Sequence, residues 1–561
     1  MFDPEKVEEL KKKELEWLDN TKNYLGAEKD ENVFSASGIP LKRVYTPADI
    51  EGLDYEKDLN FPGLAPYTRG IYPTMYRGKF WTIRQFTGYN TPEETNERFK
   101  YEYKMGQTGF SIAFDAVTES GLDSTDPRAQ DDIGTGGVHV DYIGDMDAMF
   151  ADLPIDKVTT AVIATPWTSC PLSAMYFAVA EDRGISLDVL GGTTQNDLLL
   201  FTCCCHLVEI IPPHDLIRLS VDLIEWSAQN VPNWHPVSIA SYNYRENGIT
   251  AYQEIGFLLA VAIAYIEEEL SRDRLTIDEF APTISFHLSS HNDFFEEVAK
   301  FRAARRMWYK LITERYKAKD PKSAIFRFHV QTAGSTLVYH QPLNNSIRVA
   351  YQVLAAALGG VQSMHANSYD EPICLPTEQS ILLSIRTQQI AQNDCNIPNV
   401  ADPLGGSYYV EWLTNEVEEL AWNYLQKIED NGGLVACIES GWVHQEFARA
   451  MMKHARSVES GEKQVVGQNC YKMDYEPYEI PIFYPEPEDT ADIQKKKIEK
   501  LKLERDSEKV ETALDELKSV SEAKENVMPA VITAVKAGAT LGEVCDVWRD
   551  IYGIWKIPFN G

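Results

Sequence analysis

Dinucleotide, nucleoside-triphosphate and serine-hydrolase chemistries all lack their signatures in this 561-residue chain, which has no GxGxxG, no GxxxxGKS/T and no GxSxG. Without those loops there is no ready-made phosphate cradle and no strained nucleophile turn. Positive charge is also scarce. Lys plus Arg number 53 against 85 Asp plus Glu, a formal net charge of −32. That argues against nucleic acid and anionic membranes as partners, because both need clustered cations. The longest apolar run, 255–266, is too short to span a bilayer and suits a buried helix. Residues 1–19 are charged and lack the apolar stretch of a signal peptide. The nine cysteines are odd in number, scattered and without a CxxC pair, which fits a reducing compartment better than a disulfide framework. A cytoplasmic location is expected. What the chain does have is apolar bulk: 44% apolar and 11% aromatic residues are ample for a large core.

A charged helix is read over 4–24, opened by Asp3-Pro4 with Glu5, Glu8 and Glu9 at its positive end. From about residue 80 short β-branched or apolar runs recur, at 81–86, 109–114, 158–163, 187–190, 237–242, 283–286, 325–330 and 362–365. Segments of helical period lie between them, as at 251–270 and 294–316. Eight strand–helix units imply parallel strands with right-handed crossovers, and eight closes a barrel. The expected fold is therefore α/β, a (β/α)8 TIM barrel with an N-terminal helical arm and a C-terminal helical extension. The arm is assigned to 1–45, the barrel to 46–425, a helical segment to 426–473, and an extended linker and helical tail to 474–561. Prolines and acids crowd 474–491, as in a linker. The tail's end, 544–558, is rich in Trp and Ile, so it is either an interaction patch or core.

Barrel chemistry sits at the carboxyl ends of the strands, and here those ends are polar. They carry Ser111 and Asp115, then 193–197, then 241–244, then His329 with Gln331, and finally His365 with Asn367 and Glu371. Cys203-Cys204-Cys205-His206 invites a metal reading. Adjacent residues cannot converge on one tetrahedral ion, however, and no second Cys/His pair follows at zinc spacing. No metal site is expected.

Specific residues go further. Tyr72-Pro73-Thr74-Met75-Tyr76-Arg77 and then Trp81-Thr82-Ile83-Arg84-Gln85 resemble the opening signature of the adenosylcobalamin-dependent acyl-CoA mutases, the methylmalonyl-CoA mutase family. In family order follow Gly109-Phe110-Ser111-Ile112-Ala113-Phe114-Asp115, Gly192-Thr193-Thr194-Gln195-Asn196-Asp197, Glu297-Val298-Ala299-Lys300, Gln362-Ser363-Met364-His365-Ala366-Asn367 and Asp402-Pro403-Leu404-Gly405-Gly406-Ser407. The resemblance runs from about Arg43 to Tyr471, and the tail is similar to that of the separate large subunits of isobutyryl- and 2-hydroxyisobutyryl-CoA mutases. It implies a (β/α)8 barrel threaded by the CoA arm. It also implies a radical rearrangement, in which adenosylcobalamin abstracts a hydrogen and the thioester group migrates to the neighbouring carbon.

Carried over position by position, the resemblance makes Tyr72, Thr74, Met75, Lys79, Thr82, Arg84, Ser111 and Ser285 contacts of CoA or substrate. Arg327, His329, Gln331, Gln362 and Ser363 match further pocket positions. Gln195 matches a glutamine bonded to the acyl end, with Tyr242 beside it in a catalytic role, and Asn367 and Glu371 match residues facing the adenosyl and corrin side.

Departures bear on the substrate. Methylmalonyl-CoA mutases have Tyr where Phe86 stands, and their carboxylate-binding Arg falls here on Cys205 or His206. Neither offers a guanidinium fork for a buried carboxylate, although a protonated His206 could partly substitute. The Asp that holds a substrate hydroxyl in 2-hydroxyisobutyryl-CoA mutases is Ala113. A plain branched or aromatic acyl group is expected. The family His that bonds the migrating carbonyl is Asn243, which donates a hydrogen bond but carries no proton. His287 replaces a bulky aromatic and could compensate, and Thr283 replaces an Arg that binds CoA phosphates. The family's Asp-x-His-x-x-Gly cobalt-ligand segment is missing. The expected partner is thus a small cobalamin-binding subunit that supplies the cobalt ligand in an α2β2 assembly, docked on the arm and tail.

Overall fold

The computed structural model describes residues 2–21, 33–129, 132–205, 207, 209–484, 488–556 and 558. Eight parallel strands form its centre. We label them β1 (Thr82–Ile83 and Phe86–Thr87), β2 (Gly109–Ile112), β3 (Thr159–Ile163), β4 (Gly192–Gln195), β5 (Trp234–His235 and Val237–Ala240), β6 (Ile284–Ser290), β7 (Arg327–Thr332) and β8 (Ser363–His365). The first half of β1 pairs with β8 and the second half with β2. Likewise the first half of β5 pairs with β4 and the second half with β6. Two five-stranded sheets thus share the split strands, and the ring of eight closes through them.

One expected strand is misplaced. Residues 187–190 form a 3-10 turn, Leu187–Val189, and the strand is β4, five residues later. Gly192, which reads as a breaker, lies inside it. A Cβ there would sit 2.3 Å from Thr160 O and from the Trp234 ring, so only glycine allows β4 to lie this close to its neighbours. The other seven strands fall within a few residues of expectation. The helix read over 4–24 is observed as Pro4–Asn20, and 22–24 lie outside the described residues.

Long helices jacket the barrel. Ala251–Ser271 is capped by Thr250 and carries the apolar run of 255–266, buried as expected. It packs with Phe294–Lys310 against Tyr408–Asp430. The tail folds into Glu488–Glu504, Ser507–Glu522, Met528–Ala537 and Leu541–Tyr552. Met528, Val531, Val544 and Trp548 are fully buried in the same core as the barrel helices. The tail's apolar face is therefore core. Asp123, in the segment after β2, fixes it further by accepting from Thr540 Oγ1 and Gly542 N–H, each at 2.7 Å. Among the described residues no helix is long and apolar enough to cross a membrane.

Candidate active site

The barrel is hollow. A lower cavity of about 340 Å³ opens at the amino ends of the strands, and an upper one of about 380 Å³ lies toward their carboxyl ends. Arg84, Thr193, Ser238 and His329 line both, so the two abut at mid-barrel. Barrels of this kind are ordinarily filled by layers of bulky aliphatic side chains. Here Thr82, Ser111, Ala161, Thr193, Ser238 and Ser285 face the axis. The register stacks them in rows: Ser111 lies opposite Ala161, Ala161 opposite Thr193, and Ser238 opposite Ser285. Side chains this short do not meet at the centre.

Buried imidazoles come from β6, β7 and β8. His287 Nδ1 donates to Gln195 Oε1 at 2.8 Å, and its Nε2 has no hydrogen-bond partner among the described residues. Its ring stands perpendicular to His329 at 4.7 Å and stacks on Tyr242 at 5.7 Å. Burial drives the His287 pKa down to about 3 and that of His365 to about 4, and it holds His329 well below the usual histidine value. All three are neutral at ordinary pH, because a desolvated imidazolium has no compensating anion here. His329 Nδ1 pairs with Ser363 Oγ and His365 Nδ1 accepts from Phe86 N–H, each at 2.8 Å. Arg84 is the charged group at mid-barrel. Its guanidinium donates to Thr159 Oγ1, its Nε has no partner among the described residues, and desolvation lowers its pKa only to about 10.

At the upper rim Tyr242 Oη accepts from Gly334 N–H at 3.2 Å and lies 3.5 Å from Asn367 Nδ2. No described residue accepts the tyrosine's own proton, which is left for a ligand. Gln331 Nε2 donates to Asn367 Oδ1 at 3.1 Å. Glu371 opens onto the cavity, and desolvation, then the Asp370 and Glu246 carboxylates, raise its pKa to about 7. Among the described residues no cluster of His, Cys, Asp and Glu is arranged to hold a metal ion.

Comparison with known proteins decides what this hollow barrel is. The methylmalonyl-CoA mutase family model matches residues 34–554. The chain is 39% identical to the 2-hydroxyisobutanoyl-CoA mutase large subunit of Aquincola tertiaricarbonis, over 99% of both chains. It is 37% identical to the methylmalonyl-CoA mutase of Rhizobium meliloti, over 92% of this chain and 72% of the relative, and 34% identical to the human mitochondrial enzyme, over 96% and 72%. The chain belongs to the methylmalonyl-CoA mutase family. It is an acyl-CoA mutase, an isomerase of the intramolecular transferase kind, and membership implies dependence on cobalamin.

In this mutase Tyr72, Met75, Lys79, Thr82, Arg84, Ser285, Arg327, His329, Gln362 and Ser363 line the lower cavity. Phe86, Ser111, Gln195, Cys205, Tyr242, Asn243, His287, Gln331 and Glu371 line the upper. Three expected residues stand apart from both walls. Thr74 is exposed where it precedes the Met75–Arg77 turn, and Ala113 is buried behind the wall, its backbone paired with Thr87 and Val138. Asn367 is buried and reaches the site through Gln331 and Tyr242. His206 lies outside the described residues. Thr283 lends its carbonyl to His235 Nδ1 at 2.8 Å, which makes His235 a lower-cavity residue that the sequence did not single out. Phe114, Ile163, Leu200, Phe201 and Leu207 of the upper wall were missed too. An apolar residue beside a cavity has the same sequence signal as one in the core.

Proposed function

We propose that this chain is the large, catalytic subunit of a coenzyme-B12-dependent mutase of the cytoplasm. Its substrate would be a branched acyl-CoA without a free carboxylate, isobutyryl-CoA being the simplest. The hollow axis carries this reading, since short hydroxyl and methyl side chains replace the usual filling from one end of the barrel to the other. Such a tunnel suits an extended pantetheine thioester, with Lys79 and Arg327 at the lower mouth for its phosphates. Glu371 and Tyr242, with Asn367 behind the tyrosine, form a polar rim that fits the hydroxyls of an adenosyl ribose and would hold that side of the cofactor. When bound, adenosylcobalamin supplies hydrogen abstraction through homolysis of its cobalt–carbon bond.

The chain's own residues would position and shield. Gln195, its oxygen committed to His287, has its amide N–H left for the thioester end, and Asn243 offers a second amide donor. The neutral histidines hold no transferable proton, so their part is hydrogen bonding and exclusion of water. Arg84 at the foot is the one cationic side chain among the described residues of the upper wall, whereas Glu119 and Glu371 are acids. Beyond Arg84, a free carboxylate beside the acyl carbons would meet no cation among these residues, and its desolvation unpaired would cost several kcal/mol. The relatives named methylmalonyl-CoA mutases favour a second reading, with methylmalonyl-CoA as substrate. Cys205 and Phe86 in the upper wall oppose it.

A small subunit supplying the cobalt ligand in an α2β2 assembly is part of the proposal, supported by the relative whose printed name is large subunit. Isomerisation of isobutyryl-, pivalyl-, 2-hydroxyisobutyryl- and methylmalonyl-CoA, followed by mass spectrometry with adenosylcobalamin and that subunit, tests the reading. Turnover confined to esters without a carboxylate is expected. Methylmalonyl-CoA as the best substrate would overturn it, no turnover of any ester would point to a silent scaffold, and tight cobalamin binding by this chain alone would remove the partner.

A further inference from the structure

The upper cavity has two unlike walls. Tyr242, Asn243, Gln331 and Glu371, all polar, come from the segments at or after β5, β7 and β8. The facing wall, built by β1 to β4 and the turn after β4, presents Phe86, Phe114, Ile163, Leu200, Phe201 and Leu207, interrupted by Arg84 and Thr193 at its foot and by Ser111, Glu119 and Gln195. Leu200 and Phe201 belong to a π-helical turn, Leu200–Cys204, that brings two large side chains to the wall just beyond Gln195. Phe86 is 39% exposed although it lies inside the barrel, and Ile163 and Leu207 are half-buried there. The Cys205 thiol in the same lining is desolvated enough that its pKa rises to about 12. At about 380 Å³ the space falls in the range that encloses drug-sized ligands. An acyl group of four carbons would leave much of this apolar wall against water, at a free-energy cost that grows with area.

We infer that the acyl group of the substrate carries an apolar extension, a longer alkyl branch or an aryl ring, that packs on this wall, and that Leu200, Phe201 and Leu207 set its size. The inference rests on the acyl-CoA reading above and narrows it. Small residues at Ala116 and Ala161 widen the cavity on the same side, so the extension has room along β3.

A graded ester series tests this. Isobutyryl-CoA is lengthened on its branch one methylene at a time, and a phenyl-bearing member is added. Each ester is titrated calorimetrically against the chain assembled with its small subunit, and its turnover is measured with adenosylcobalamin. Burial of a methylene is worth roughly fourfold in affinity. Kd should therefore fall about fourfold per carbon over the first few members, with kcat/KM for the longer esters rising above that for isobutyryl-CoA. Leu207→Trp, which narrows the space, should lower the ratio of kcat/KM for the longest ester over isobutyryl-CoA by tenfold or more. Isobutyryl-CoA binding and reacting at least as well as every longer ester would overturn the inference while leaving the acyl-CoA reading intact. So would an unchanged ratio in the Leu207→Trp enzyme. Failure of every ester to bind would sink that reading, and this one with it.

Discussion

Gln195 and His287 are tied to one another before any substrate arrives, through the 2.8 Å bond from His287 Nδ1 to Gln195 Oε1. Removing the acceptor leaves a buried N–H unsatisfied, so Gln195→Ala should cost about 1–3 kcal/mol in urea denaturation. Gln195→Glu keeps the acceptor and adds a charge, so the His287 pKa should rise from about 3, as read by NMR titration of the ring. Glu102 shows the opposite electrostatics. It is fully buried, its Oε1 accepts from Thr87 Oγ1 at 2.8 Å, and its Oε2 has no partner among the described residues. Desolvation lifts its carboxyl from 4.5 to about 7. Between those values the folded chain holds a proton that the unfolded chain has released, so stability falls as pH rises, by about 3 kcal/mol once pH 7 is passed. Glu102→Gln should remove that slope and gain on the parent between pH 4.5 and 8. Of the candidate site, polar strand ends marked only the mouth of the barrel, and the resemblance to the mutase family named the individual residues. Leu200, Phe201 and Leu207 were not legible, because their sequence signal is that of any core residue.

Strands were easier to find than to bound. β3, Thr-Thr-Ala-Val-Ile, is a short β-branched and apolar run, and it lies where the pattern puts it. β4 escaped because its residues, Gly-Thr-Thr-Gln, avoid apolar bulk in order to leave the axis open, so the apolar run just before it attracted the assignment. The site's own requirement erased the strand signal. The tail posed a different ambiguity, since a Trp-rich amphipathic helix reads alike as patch or core. Contact with the barrel helices settles it as core: Met528–Ala537 packs on Ser169–Asp182, and Trp548 is fully buried, its Nε1 donating to Ser521 Oγ of the tail helix Ser507–Glu522 at 3.1 Å. Trp548→Ala should lower stability by about 3–5 kcal/mol, seen as a shift in the denaturant midpoint, with Trp548→Phe losing less.

At the scale of the molecule, function has been taken out of the packing. The layers that normally fill such a barrel are missing along the axis, and the jacket of helices supplies the apolar burial that holds it together. Refilling the axis should therefore separate folding from binding. Ser238 is buried and lines both cavities, so Ser238→Phe should block the passage between them. The expected result is at least a hundredfold weaker binding of acyl-CoA esters by calorimetry, with a melting temperature no lower than the parent's. A variant that still binds them as the parent does would mean that the ligand does not run along the axis.

The division of β1 and β5 has a mechanical consequence. Each five-stranded sheet is laddered throughout, but where the sheets join, the covalent chain carries on while the ladder changes partners. A few bonds stitch the first seam, such as Thr108 N–H to Ile83 C=O and the Gln85 side chain, which pairs with both the N–H and the C=O of Ala366. A cylinder made as two half-shells is softest along its seams, because parting them breaks these stitches and no ladder. The barrel is thus two half-shells hinged along β1 and β5, and a load across it falls on the seams before it falls on any ladder.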